Sequence, residues 1–394
     1  MSDTTMSRAR VTRMDAIQAP IVAVIGDLIR QSPGTISLGQ GVVHYGPPPE
    51  AMDAVRLALG RPDTHQYNDG HGLPELVRRI AKKLAAENGI DVSLGSRVMV
   101  TAGANMAFMH AVMATTSPGD DIILPIPFYF NHEMAIEMAG CRAIRVPTDA
   151  RYQLDLAAIE RAMTSRTRAI VTISPNNPSG AVLESSSLRA VNDLCRARGL
   201  YHVADEPYEY FTYGSARHVS PGAFPGAGGH TISMYSLSKA YGFAGWRMGY
   251  MVYPEHLAAA MIKSQDTILI CPPIASQVAA LAALEVGRSY CEPHVRELAA
   301  IREIVITELA ALAPLATVPA ADGAFYCLMK VNAEADPLAL AERLIREFKV
   351  AVIPGTAFGM TGGCYFRVAY GALQKATVAE GIGRLVAGLR AMLP

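Results

Sequence analysis

Paired cysteines, a charge of one sign and an unbroken apolar run are all missing from this sequence, and each absence narrows its function. The six cysteines (Cys141, Cys195, Cys271, Cys291, Cys327 and Cys364) lie far apart, with no CxxC pair. That spacing argues against zinc. A disulfide framework serves short secreted chains rather than one of 394 residues, so separate thiols in a reducing cytoplasm are expected. Lys and Arg number 35 and Asp and Glu 35, which leaves neither a nucleic-acid footprint nor a basic face for a membrane. Residues 98–119 and 267–284 are uncharged, but a Ser-Pro-Gly turn breaks the first and a Pro-Pro pair the second. Neither is an apolar span of about 20 residues, so a soluble protein is expected. The first 18 residues lack the apolar stretch of a secretory signal, which fits a cytoplasmic location. Neither GxGxxG nor GxxxxGK[ST] occurs, so the nucleotide-binding glycine loops find no support.

What is present suits a core-forming enzyme. Hydrophobic residues make up 51% of the chain and charged ones 18%, enough to bury a sizeable interior, and the length suits a large domain plus a smaller one. Short apolar runs at 97–101, 121–124, 143–146, 169–173, 201–204, 231–235 and 249–252 read as strands. Helical patterns at 129–139, 155–163, 185–198 and 255–265 separate many of them, and 51–60 and 73–88 precede them. This alternation predicts an α/β fold with a mostly parallel sheet covered on both faces. From 287 the pattern becomes α+β: helix 288–312, strand 324–331, helix 337–348, strands 350–353 and 365–369, helix 375–391. The expected division is a large domain over 41–286 and a small one over 287–394, with residues 1–40 packing on the latter.

The chemistry sits at strand ends. Lys239, in Tyr235-Ser-Leu-Ser-Lys-Ala-Tyr-Gly-Phe-Ala-Gly-Trp-Arg247, follows an apolar strand. A buried ammonium is costly there unless its nitrogen is tied up, for example as an imine. Ser236, Ser238 and Arg247 supply donors suited to a phosphate. Asp205 ends the run YHVA, where a carboxylate can face a pyridine nitrogen; an Asp at that place is also a common helix N-cap. Asn177, after AIVTI, and Tyr208 can donate to a phenolate oxygen, although Asn-Pro is also an ordinary turn. Gly103, Ala104 and Asn105 open a helix whose free N–H groups attract phosphate. Each signal alone is ambiguous. Together they supply a partner for every polar group of pyridoxal 5'-phosphate (PLP).

These motifs resemble those of the class I/II aminotransferases, the fold-type I PLP enzymes, over essentially the whole chain. Ser-x-Ser-Lys-x-x-x-x-x-Gly-x-Arg and the order NNPSG, DEPY, SLSK carry the likeness. LGQGVVHYGPP (38–48), MVTAGAN (99–105), FYFNHEMAIEMAG (128–140), PYEYFTYG (207–214) and IPGTAFG (353–359) are similar to the plant aromatic/methionine aminotransferases and bacterial relatives. The resemblance implies that Tyr129 stacks on the pyridine ring and that Gly41 offers backbone near the substrate. It also implies that Arg367 clamps the substrate α-carboxylate and that Tyr67 reaches the phosphate of a partner copy in a homodimer. Without the resemblance, an Arg near a strand such as Arg367 is more often a surface residue. Two departures bear on substrate range: Val-Val-His-Tyr follows Gly41 where many relatives have Phe-Pro-Asp-Phe, and Tyr129 stands where some carry Trp.

The expected reaction is a ping-pong transfer of an amino group from an amino acid to a 2-oxo acid. Lys239 acts as general base at Cα, with Asp205 and Tyr208 tuning the cofactor. Aromatic donors or methionine are favoured, with Tyr129, Phe325, Tyr326 and Phe358 as apolar candidates near the site. Aspartate or glutamate is the alternative donor. A PLP lyase, decarboxylase or oxidase on the same fold is the alternative reaction, and a non-catalytic PLP-binding regulator a third reading.

Overall fold

Apolar β-branched runs bounded by Gly, Pro and Asn become strands, and amphipathic stretches between them become covering helices. The computed structural model describes residues 12–393. Residues 1–11, with much of the stretch read as lacking a secretory signal, lie outside the described residues. After a two-residue strand β1 (Ile36–Ser37) come β2 (Ser96–Thr101), β3 (Asp121–Ile126), β4 (Arg142–Pro147), β5 (Thr167–Ile173), β6 (Tyr201–Asp205), β7 (Thr231–Ser236) and β8 (Gly249–Pro254). Strands β2 to β8 form one sheet in the order β2-β8-β7-β6-β5-β3-β4. Only β8 runs against its neighbours, so the C-terminal ends of the other six open on the same side. The central strands carry near-continuous apolar sequence because helices cover both faces. At the edge, β4 instead presents Arg142 and Arg145, which pair with Asp121 and Glu133.

The C-terminal part has its own antiparallel sheet of β9 (Ala316–Thr317), β10 (Tyr326–Val331), β12 (Ile353–Pro354) and β13 (Cys364–Ala369), in the order β12-β13-β10-β9. Helices Arg288–Ala310, Pro337–Phe348 and Lys375–Met392 accompany it. The strand expected at 350–353 is a correction. Val350–Ala351 (β11) pairs in parallel with β1, whereas Ile353–Pro354 joins β13, so two short pieces serve two sheets. The helix expected at 255–265 begins as a 3-10 turn, Glu255–Leu257, and runs as α-helix over Ala258–Ile268. Of the N-terminal residues, helix Ile21–Arg30 and β1 pack on the C-terminal part. The turn Arg13–Ala16 lies instead against helix Phe130–Met138, where Arg13 donates to the Met138 carbonyl. Among the described residues no helix is long and apolar enough to cross a membrane. All six cysteines are free thiols, five of them buried.

Candidate active site

A cavity of about 440 Å³ opens where the six co-directional strands end and the C-terminal part closes over them. Crevices at the carboxyl ends of parallel strands are where open α/β sheets place ligands. Gly41, Ala104, Asn105, Tyr129, Asn177, Asp205, Tyr208, Ser236, Ser238, Lys239, Arg247 and Arg367 line it, although they span most of the sequence. Two residues of the expected set do not. Gly103 stands just behind the wall, and Tyr67 lies on the surface, 80% exposed.

Lys239 sits in the short helix Leu237–Ala240 directly after β7, and its Nζ donates to the Gly41 carbonyl. Burial, then the nearby Arg367 and Arg247 guanidinium groups, push its pKa from 10.5 down to about 8, against the pull of Asp205. A neutral amine is therefore accessible close to neutral pH, as a general base or nucleophile requires.

Asp205 closes β6. No helix follows it, so the N-cap alternative falls away. Its Oδ2 lies 3.2 Å from His132 Nε2, while its buried Oδ1 has no partner among the described residues. His132 stacks on Phe108 at 4.0 Å and meets Tyr129 edge-on at 5.4 Å, which fixes the ring behind the carboxylate. An unpaired buried carboxylate oxygen facing a cavity calls for a donor from a ligand.

One end of the cavity is built for an anion. Gly103 takes φ +79° ahead of helix Ala104–Thr115, and a Cβ there would come 2.5 Å from Arg247 Nη2. Glycine thus lets the guanidinium approach the helix start, where backbone N–H groups are unsatisfied. Arg247 is steadied by the Ala244 carbonyl at 2.8 Å, and the Ser236 and Ser238 side chains stand beside it.

At the opposite end Arg367, from β13, is 2% exposed, which rules out the surface reading. It donates to Asn177 Oδ1 at 2.9 Å and to the Gly39 carbonyl at 2.6 Å, and its Nε has no partner among the described residues. Tyr326 and Phe358 lie under the guanidinium at 4.9 and 5.1 Å. Because Asn177 uses its oxygen on Arg367, its amide N–H groups are left for the cavity. Tyr208 OH lies 2.9 Å from Tyr326 OH. Phe325 and Phe358 support the wall from behind rather than lining it.

Sequence reasoning missed His132, Phe130, Pro207 and Val22, and took Tyr326 only as an apolar wall, whereas Val42 belongs to the departure after Gly41 that was expected near the substrate. For His132 a signal existed, since it falls one helical turn beyond Tyr129. Val22 had none, because only the fold returns the first helix to the cavity.

The family model described as aminotransferase class I and II matches residues 33–385. An aromatic aminotransferase of Arabidopsis thaliana is 35% identical over 386 residues, covering 95% of this chain and 94% of the relative. A solved aspartate aminotransferase of Thermus thermophilus with maleate is 30% identical, with a TM-score of 0.88 over 97% of this chain and 100% of that one. The aromatic aminotransferase of Pyrococcus horikoshii OT3 is also 30% identical, with a TM-score of 0.85 over 93% and 99%. Family, relatives and architecture agree: the chain belongs to the class I and II aminotransferases and is an enzyme that transfers amino groups.

Proposed function

We propose that this aminotransferase holds PLP on Lys239 and takes aromatic amino acids or methionine as donors. The observation that carries the cofactor reading is the unpartnered buried Oδ1 of Asp205, in one cavity with the depressed Lys239 and the Arg247 anion site. Arg247, Ser236, Ser238 and the N–H groups at Ala104 and Asn105 suit the phosphate. Tyr129 suits a ring face, and Asn177 and Tyr208 suit the phenolic oxygen. When bound, PLP supplies an electron-withdrawing ring that makes the substrate Cα–H acidic.

The chain's own groups do the rest. Arg367 receives the α-carboxylate through its fork, backed by Asn177 and the Gly39 carbonyl. Once the incoming substrate amine has displaced it from the cofactor, Lys239 Nζ, drawn toward neutrality by its surroundings, would be a free amine able to take the proton from Cα. Asp205 Oδ1 would accept a hydrogen bond from the ring nitrogen and keep it protonated, while His132 fixes Oδ2. The donor preference follows from the lining. Among the described residues the cavity wall offers no cation for a side-chain carboxylate beyond Lys239, Arg247 and Arg367, whereas Val22, Val42, Phe130 and Tyr326 give it apolar surface.

The assembly we propose is a two-fold homodimer with Tyr67 entering the partner's site. An apolar groove walled by Met106, Met109, Met113, Met138 and Ile268 supports it, because that groove shares Asn105 and Arg247 with the cavity. A second copy seated there would border the phosphate end.

The test is an absorption titration of the purified protein with single amino acids. Loss of the visible PLP band with phenylalanine, tyrosine, tryptophan or methionine, and its return on adding a 2-oxo acid, is the expected result. Equal response to aspartate would defeat the donor preference. Bleaching that no 2-oxo acid reverses would favour a lyase or oxidase.

A further inference from the structure

The pair Tyr208–Tyr326 poses a problem of protons. Each phenol carries one O–H and two acceptor lone pairs. The two oxygens are 2.9 Å apart, and neither has another protein partner among the described residues. Burial keeps both protonated, raising Tyr208 well above its ordinary value and Tyr326 to about 12. One proton therefore lies between the oxygens, and the other must point elsewhere.

The surroundings decide which phenol keeps the free proton. The Tyr326 oxygen lies against Gly41, where an added Cβ would come within 2.8 Å of it. Among the described residues its one hydrogen-bond partner is the Tyr208 hydroxyl. Tyr208 is gripped edge-on by Phe325 and Tyr326, each at a ring separation of 5.4 Å; both phenols line the cavity, and the Tyr208 ring lies 6.0 Å from Lys239 Nζ. When an acceptor enters beside Tyr208, only one direction satisfies every group: Tyr326 donates to Tyr208, and Tyr208 donates to the newcomer.

We propose that Tyr326 is a positioning residue, whose hydroxyl donates to the Tyr208 oxygen and thereby aims the Tyr208 proton at the phenolic oxygen of PLP. The inference rests on the cofactor reading above. It adds a role for the C-terminal part, since Tyr326 opens β10 and lies under Arg367 of the neighbouring strand β13. One phenol then touches the cofactor-side donor and the substrate-side clamp together. Hydrogen bonds in series polarise one another, so a donor behind Tyr208 strengthens its own donation.

The experiment is a spectroscopic pH titration of the PLP-loaded enzyme, comparing wild type with Tyr326→Phe, Tyr208→Phe and the double variant. Phe keeps the ring packing and removes only the hydroxyl. A weaker donor at the phenolic oxygen leaves more electron density to hold the proton at the Lys239-linked nitrogen. The absorption midpoint should therefore rise in Tyr326→Phe by roughly 0.3–1 pH unit. It should rise further in Tyr208→Phe. Once Tyr208 is Phe, adding Tyr326→Phe should move it by less than about 0.1 unit, the mark of a residue acting through its neighbour. An unmoved midpoint in Tyr326→Phe overturns the proposal, and so does the same shift persisting in the double variant. A wild-type protein with no visible band after PLP is added would sink the cofactor reading itself, and this inference with it.

Discussion

Lys239 carries a burden that the fold must tolerate before any cofactor arrives. Its pKa falls from 10.5 to about 8 because burial and two guanidinium groups disfavour the charged form. Below pH 8 folded and unfolded chains both bear the proton, and the folded state carries the full penalty. Between pH 8 and 10.5 the folded chain binds fewer protons than the unfolded one, so stability from this group rises with pH. Above 10.5 both are neutral and the penalty is gone. Replacing Lys239 by Met should therefore stabilise the PLP-free protein at pH 7, by up to about 3 kcal/mol. Urea unfolding at pH 7 and pH 10.5 checks the sign: the gain should shrink at the higher pH. A variant no more stable than wild type at pH 7 would mean that the ammonium is better solvated than its surroundings imply. This is the trade expected of a catalytic group, with stability given up for reactivity.

At the scale of elements, the segment 205–209 shows how a strand end is split between chemistry and anchoring. Asp205 and Tyr208 face the cavity, while Glu206 and Glu209 turn into a buried polar network. Lys83 Nζ, almost wholly buried, donates to both Glu209 oxygens at 2.5 Å and to Asn88 at 2.8 Å. Glu206 accepts from Ser220 and pairs with His218 at 2.8 Å. Removing one partner of such a pair leaves an uncompensated charge. Lys83→Met should cost about 3–5 kcal/mol in equilibrium unfolding, and adding Glu209→Gln should restore a large part of it. If the double variant is no better than the single, the ion pair is not what holds the segment. None of this network was legible in sequence, where Lys83 is one of several charges in the helical pattern 73–88. The strands and helices themselves were legible, because alternation and helical spacing are local. The split of 350–354 between two sheets was not, since two-residue strands exist only through their partners at Ile36 and Arg367. The site divides the same way. Lys239, Asp205 and Asn177 stand at strand ends with motif neighbours, whereas the bonds from Tyr208 to Tyr326 and from Asp205 to His132 join residues far apart in the chain.

For the whole molecule the question is whether one chain completes its own site. Tyr67 is 80% exposed and outside the cavity of its own chain, and Leu57, Leu59, Met113 and Ile268 also expose large apolar side chains. In the proposed dimer that surface is buried and Tyr67 serves the neighbouring phosphate, so each site takes Lys239 from one copy and Tyr67 from the other. Mixing two defective variants separates this arrangement from a self-contained site. Lys239→Ala lacks the base, and Tyr67→Phe lacks the phosphate donor but keeps Lys239. In a hybrid dimer, the site built on Lys239 of the Tyr67→Phe copy would receive an intact Tyr67 from the Lys239→Ala copy. Refolding the two together should therefore yield hybrids with one site of wild-type PLP affinity and turnover, although each parent is weakened or inactive. Tyr67→Phe alone should bind PLP roughly tenfold more weakly, the loss of one charge-assisted hydrogen bond. If hybrids bind PLP no better than the Tyr67→Phe parent, Tyr67 does not cross between copies, and its exposure must be explained within one chain.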